Sequence, residues 1–246
     1  AYEQMFAAGE RGESLGNLGL ADLEMLRGDY AAAIETLTAG IAHDDGISNA
    51  RSASTKRAML AAAFAAAGNA EKAKAALQPI LADSSPERAV PVALVSLQIG
   101  DNETASSIAS TMGSRLQPQS RAYALMIEGM LALEANEPVV AIDKLRAAIE
   151  MSDLWLIRFQ LGKAYLEAGF SAESMDEFQT CYDRVGEATA LFLHDRPSWR
   201  YTATLPYWFA RAEEGLGMGH SAKDKYRAFL RIRPDGPLAD DARGRL

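Results

Sequence analysis

The chain has 246 residues, 48% of them hydrophobic, and a formal net charge of −8 from 25 Lys plus Arg against 33 Asp plus Glu. That is enough apolar material for a large or continuous core and too much for a disordered tail. The acidic balance counts against nucleic-acid binding, which draws on cationic charge, and the single cysteine, Cys181, excludes an intramolecular disulfide or a Cys/His zinc site.

Taken in order, Tyr2, Met5 and Phe6 at helical spacing predict a short helix in residues 1–13 that covers the open N-terminal end of a stack of helices. From Ser14 to residue 234 the sequence reads as helix, turn, helix, six times over, with units near 14–46, 50–83, 86–114, 118–151, 154–185 and 203–234. Each unit carries a residue that tolerates the left-handed conformation at its turn: Gly28, Gly68, Gly100, Asn136, Gly169 and Gly217. The intervals between these anchors are 40, 32, 36, 33 and 48 residues, so the first and last hold inserts, one around 44–50 and one at 186–202. Ser171 is placed to cap the second helix of its unit. The third unit is degenerate, with Pro91 early in its first helix and Ala109 where a large residue is usual. Residues 235–246, PLADDARGRL at their end, predict a polar closing helix. No apolar run approaches the roughly 18 residues of a membrane span, and the opening AYEQMFAAGERGES lacks the basic-then-apolar order of a signal peptide. Compartment stays open between a bacterial cytoplasm and the extracytoplasmic side of a membrane-anchored protein.

The clearest unit is LWLIRFQLGKAYLEAGFSAESMDEFQTCYDRV, residues 154–185. Its order Leu161-Gly162-x-x-Tyr165, then a Gly169 turn, then a small residue with an aromatic four further on, resembles the tetratricopeptide repeat, whose period is about 34 residues. GDYAAAI at residues 28–34 is a similar turn. The resemblance covers roughly residues 14–234 and implies an all-α fold, a right-handed α-solenoid of about six helical hairpins. Gly129 and Gly162 then stand where helices cross, and Ala33, Ala73, Ala105, Ala141 and Ala222 take the complementary small positions. A second resemblance lies in RVGEATALFLHDRPSWRYTATLPYWFARAEEGLG and KYRAFLRIRPDGPLADDARGRL. It looks like the closing segment of such arrays attached to bacterial serine/threonine kinases, in which the repeats are the recognition part. The kinase's own Gly-rich loop, His-Arg-Asp and Asp-Phe-Gly motifs are absent from the sequence.

Arrays of this kind bind a peptide or a partner helix in a concave groove lined by the first helix of each unit. Carried onto this sequence, the resemblance implies groove positions at Leu18, Asp22, Met25, Ala58, Ala62, Val90, Leu94, Leu97, Met126, Met130, Leu133, Phe159, Lys163, Leu166, Tyr207 and Arg211. Lys163 and Arg211 alone do not rebuild the Lys/Asn clamp with which related domains hold acidic chaperone tails. The Met- and Leu-rich centre instead suits an apolar or amphipathic protein segment, and Met126→Asp with Met130→Asp is the obvious test. Trp199, in the insert, is a further contact candidate.

Against chemistry, His43-Asp44-Asp45 and His194-Asp195 offer loop histidines beside carboxylates without the paired-helix spacing of a metal site. Cys181 falls where the repeat wants a small buried residue. Ser84-Ser85 and Ser106-Ser107 lack a nucleophile context, Asp240-Asp241 and Glu213-Glu214 read as solvated faces, and Trp155 and Trp208 read as core. The expected protein is therefore a non-catalytic interaction scaffold without cofactor, placed in bacterial signalling, with a homo-oligomer among its open states. A sensory domain for a small apolar ligand, or an enzyme using the HDD or HDR loops, are the other classes.

Overall fold

The structure, a computed structural model, describes residues 1–83, 85–190 and 198–246. Among the described residues there are fourteen α-helices and no strand. The chain opens with α1 (Tyr2–Met5) and a single 3-10 turn, Phe6–Ala8. Six antiparallel pairs come next: α2 (Glu10–Arg27) with α3 (Tyr30–Gly46), α4 (Ala50–Ala66) with α5 (Ala70–Leu77), and α6 (Pro86–Gln98) with α7 (Asn102–Gly113). They continue with α8 (Pro118–Glu134) and α9 (Pro138–Met151), α10 (Trp155–Glu167) and α11 (Ser171–Asp183), then α12 (Leu205–Gly215) and α13 (Gly219–Ile232), before α14 (Pro237–Gly244) closes the chain.

The turns set this order. All six anchors have positive φ, from 60° at Asn136 to 81° at Gly28 and Gly169. After each anchor the next amide reaches back over the helix end, as Asn69 N–H does to the Phe64 carbonyl at 2.8 Å. Where the residue after the anchor is Asp or Asn it also starts the next helix: Asp29, Asn69 and Asp101 accept from the amides of Ala32, Lys72 and Thr104 at 3.1, 3.1 and 3.2 Å. Ser171 does not do this. It is the first residue of α11, with Phe170 at the cap position and no side-chain cap bond, and its hydroxyl instead occupies the space that Gly215 leaves open at the end of α12.

Small residues bring the paired helices together. Ala33, Ala73, Ala105, Ala141 and Ala222 are fully buried. A Cβ built at Gly129 would lie 2.9 Å from Leu145 Cγ, and one at Gly162 would lie 2.6 Å from Phe178 Cε1, so a side chain at either position would push the second helix away. Each hairpin buries one flank against the next, and the core runs along the stack. It extends from Leu18, Met25, Leu37 and Met59 through Leu77, Ile80 and Val95 to a central mass around Tyr123, Trp155 and Phe178, and ends on Tyr226, Phe229 and Ala242.

Two expectations are corrected. The long interval between Gly28 and Gly68 is not a loop insert: α3 runs on through His43, Asp44 and Asp45, leaving only residues 47–49 between helices. The extension is held by a buried polar staple, in which Lys56 Nζ pairs with Asp44 and donates to Ser14 Oγ at 3.0 Å, while Asn49 donates to both partners at 3.4 Å. The first hairpin also starts before Ser14, because only Gly9, at φ 84°, breaks the chain and Gly12 continues the helix.

Candidate binding groove

The first helices of successive pairs adjoin one another, so their inner faces form a common wall. Across that wall lies the end of the second insert, where Ser198 leads into a 3-10 turn, Trp199–Tyr201. This strap is fastened to the first hairpin, 177 residues earlier, on a single fully buried carboxylate. Asp22 Oδ2 accepts the Trp199 amide at 2.5 Å and Asp22 Oδ1 accepts Arg200 Nη1 at 2.8 Å. The Arg200 guanidinium also stacks over the Tyr201 ring, 4.7 Å from its centroid, and donates to the Tyr201 hydroxyl at 3.3 Å. The Thr202 hydroxyl closes the turn on the Trp199 carbonyl at 2.8 Å. A second tie joins the far ends of the array: Arg233, just past α13, donates to the Met25 and Leu26 carbonyls at the C-terminus of α2, at 2.9 and 3.3 Å. There the cation meets the negative end of a helix dipole.

Between strap and wall a partly open cavity of about 240 Å³ remains. Its apolar side is Met25, Ala58, Ala62, Ala66, Leu94, Val95 and Phe159, and its polar groups are Tyr30, Gln98, Arg200, Tyr201, Thr204 and Arg233. Arg233 Nε is itself buried without a hydrogen-bond partner, on the side of the guanidinium next to Gly28. Burial pushes the Arg233 guanidinium below its ordinary pKa, only partly countered by Tyr30.

Apart from Asp22, which holds the strap, the sequence-predicted groove residues divide into three groups. Met25, Leu94 and Phe159, with Ala58 and Ala62, line the cavity. Leu18, Val90, Leu97, Met126 and Tyr207 are instead buried among the packed helices, because a helix in a stack buries a stripe wide enough to serve both its hairpin partner and its neighbour. Met126 is fully buried, so an aspartate there would put a charge into the core and could not separate groove loss from unfolding. Met130, Leu133, Lys163, Leu166 and Arg211 are half-buried away from the cavity. Lys163 sits over the Trp208 ring, 5.0 Å from its centroid, and burial lowers its pKa against the opposing pull of Glu167 and Glu134. Arg211 donates to the Tyr207 hydroxyl at 3.3 Å. Trp199 keeps 38% of its surface exposed on the outside of the strap. Arg200, Arg233 and Tyr30 were not among the sequence candidates, since nothing local marks residues whose partners lie about 200 positions away.

The residues weighed for chemistry are engaged in structural contacts. Asp44 pairs with Lys56, Asp45 with Arg57 at 2.6 Å, and His43 lies 3.1 Å from the Glu10 carbonyl and 3.3 Å from Glu13. The Cys181 thiol is buried under Trp155, whose indole N–H donates to the Cys181 carbonyl at 2.8 Å, and burial pushes its pKa up to about 12. His194, Asp195 and Ser84 lie outside the described residues. Among the described residues no three His, Cys, Asp or Glu side chains converge as a metal site, and no helix is long and apolar enough to cross a membrane.

No protein-family model matches the sequence, and no curated protein matches it significantly. Solved structures do match. A chain from the crystal structure of the APC/C hetero-tetramer Cut9–Hcn1 superposes with a TM-score of 0.55 at 14% identity, over 93% of this chain. This chain spans 42% of that one. PilF of Pseudomonas aeruginosa superposes with a TM-score of 0.49 at 12% identity, over 97% of this chain and 100% of its own. The Cut9–Hcn1 superposition carries the fold: this chain is an α-solenoid of tetratricopeptide-type helical hairpins.

Proposed function

We propose that the chain is a non-catalytic scaffold whose inner face takes a short peptide segment of a partner protein, one that presents an arginine beside an aromatic ring. One observation carries this reading: the inner face already holds a short segment of that chemistry, the 3-10 turn Trp199-Arg200-Tyr201, through a backbone amide and a guanidinium on Asp22. A partner segment that replaces the strap meets the same carboxylate, with Met25, Leu94 and Phe159 of the cavity lining as its apolar contacts. The closing-segment resemblance supports a place in bacterial signalling, as the recognition part of a larger protein.

The test uses a labelled peptide of residues 198–204. In the intact chain the tethered strap competes at an effective concentration in the millimolar range, so little peptide binds. A variant with Trp199→Gly and Arg200→Gly releases the competitor and should bind the peptide saturably by fluorescence anisotropy, and adding Asp22→Ala should abolish that binding. If the strap-released variant keeps its helicity and takes up no peptide, the inner face is not a peptide-binding surface.

A further inference from the structure

The cavity beneath the strap has a chemistry that the scaffold reading leaves unused. In a chain of net charge −8, its lining holds, among the described residues, two arginines and no aspartate or glutamate. One of the two is spoken for, because Arg200 is paired with Asp22. Arg233 meets no such anion: it donates to two neutral carbonyls, and its Nε is buried with nothing to donate to. The Arg233 guanidinium therefore lines the cavity without a counter-charge, and an anion bound in the cavity would supply one through a charge-assisted bond. Ala58, Ala62, Leu94 and Phe159 give the lining an apolar part, and Gln98 at the end of α6 is an uncharged polar neighbour.

We propose that this cavity is a binding site for a small amphipathic carboxylate, its head on the Arg233 guanidinium and its hydrocarbon part against the α4 and α6 wall. The Tyr30 and Thr204 hydroxyls line the cavity with Arg233 and supply neutral donors for the second carboxylate oxygen. The volume, about 240 Å³, equals roughly eight waters at ~30 Å³ each. It suits a molecule of about ten non-hydrogen atoms and excludes a two-chain lipid. This goes beyond the scaffold reading, and neither depends on the other, since the ligand sits under the strap and needs no displacement of it. It also gives the sensory alternative a definite chemistry: an acid, not a neutral hydrocarbon.

The experiment is isothermal titration of the whole chain with octanoate and, as the uncharged control, 1-octanol. Octanoate is expected to bind at least tenfold more tightly than octanol. Arg233→Met should erase that preference by weakening octanoate alone, Arg233→Lys should restore part of it, and Ala62→Phe, which fills the cavity without touching the arginine, should remove both ligands. Arg233→Met also loosens the tie to α2, so Ala62→Phe with unchanged far-UV circular dichroism is the variant that keeps the test decisive. The proposal is overturned if octanol binds as well as octanoate, if Ala62→Phe leaves octanoate affinity unchanged, or if the unaltered chain gives no octanoate binding at millimolar concentration.

Discussion

Asp22→Ala should open the strap while leaving the solenoid folded. The Asp22 carboxylate is fully buried and Arg200 is 11% exposed at its side chain, so the pair is shielded from water on both sides. The substitution removes both acceptors and leaves a guanidinium with no anion, a situation that typically costs about 3–5 kcal/mol when one partner of a buried pair is deleted. Arg200 keeps its stacking on Tyr201, worth about 0.5–2 kcal/mol, yet it can recover hydration by turning outward. The cost therefore falls on strap docking, and at 1.36 kcal/mol per decade it corresponds to an opening equilibrium shifted roughly 10²–10⁴-fold. Hydrogen exchange reads this directly. The Tyr201 and Thr202 amides, which donate to the Ser198 and Trp199 carbonyls at 3.3 and 3.0 Å, should lose protection by that factor, whereas α8 to α11 should not change. Asp22→Asn, which keeps an acceptor but no charge, should fall between. If exchange in residues 198–204 stays within about threefold of the unaltered chain at unchanged helicity, Asp22 does not hold the strap and the reasoning fails.

Lys56→Met strands the buried Asp44 carboxylate and should cost about 3–5 kcal/mol in urea unfolding, whereas Lys56→Met with Asp44→Leu should recover most of it; equal loss in both would show that the staple is not electrostatic. Gly162→Ala puts a methyl against Phe178, an overpacking of about 1–3 kcal/mol offset by up to ~1 kcal/mol of helix propensity. The net lowering of Tm should be about 2–4 °C, and a stabilised variant would contradict the close approach. Arg158, opposed by burial and then helped by Arg184, holds the Asp153 carboxyl below the usual range; for Asp83, burial opposes the charge but Ser85 and Arg88 outweigh it and hold the carboxyl at about 2. Both folded-state values are depressed, so their stabilisation is present above about pH 4 and is lost as the pH falls, through about 2 in the case of Asp83. Unfolding midpoints between pH 6 and pH 2 should fall less in Asp153→Asn than in the unaltered chain. The Cys181 thiol should resist a disulfide reagent at pH 8 until urea unfolds the chain, and rapid labelling of the native protein would place it outside the core.

Local information carried the repeat architecture. Turn anchors such as Gly169 and Asn136, small residues such as Ala141 and Gly162, and apolar positions at helical spacing act within one hairpin, so their pattern along the chain reveals the pairing and the α-solenoid. What each first-helix residue faces was not legible in the same way. Leu94 and Met130, each six residues before its turn anchor, occupy comparable positions in their units, yet one lines the cavity and the other does not, because the neighbouring hairpins and the strap decide which part of a helix faces it.

The longest-range features had no sequence signature. The first long interval reads as a loop insert until Lys56 and Asp44 are seen to staple a longer helix. Arg200 reads as an insert residue, and Arg233 as one before a proline stop. The sequence determined the hairpins and their order, since each forms from contacts within some 34 residues. Only the tertiary structure decided that the curved stack brings its last unit back to its first, placing Arg200 on Asp22 and Arg233 on the end of α2. Curvature is a sum of small rotations at every interface between hairpins, and no single stretch of sequence encodes that sum.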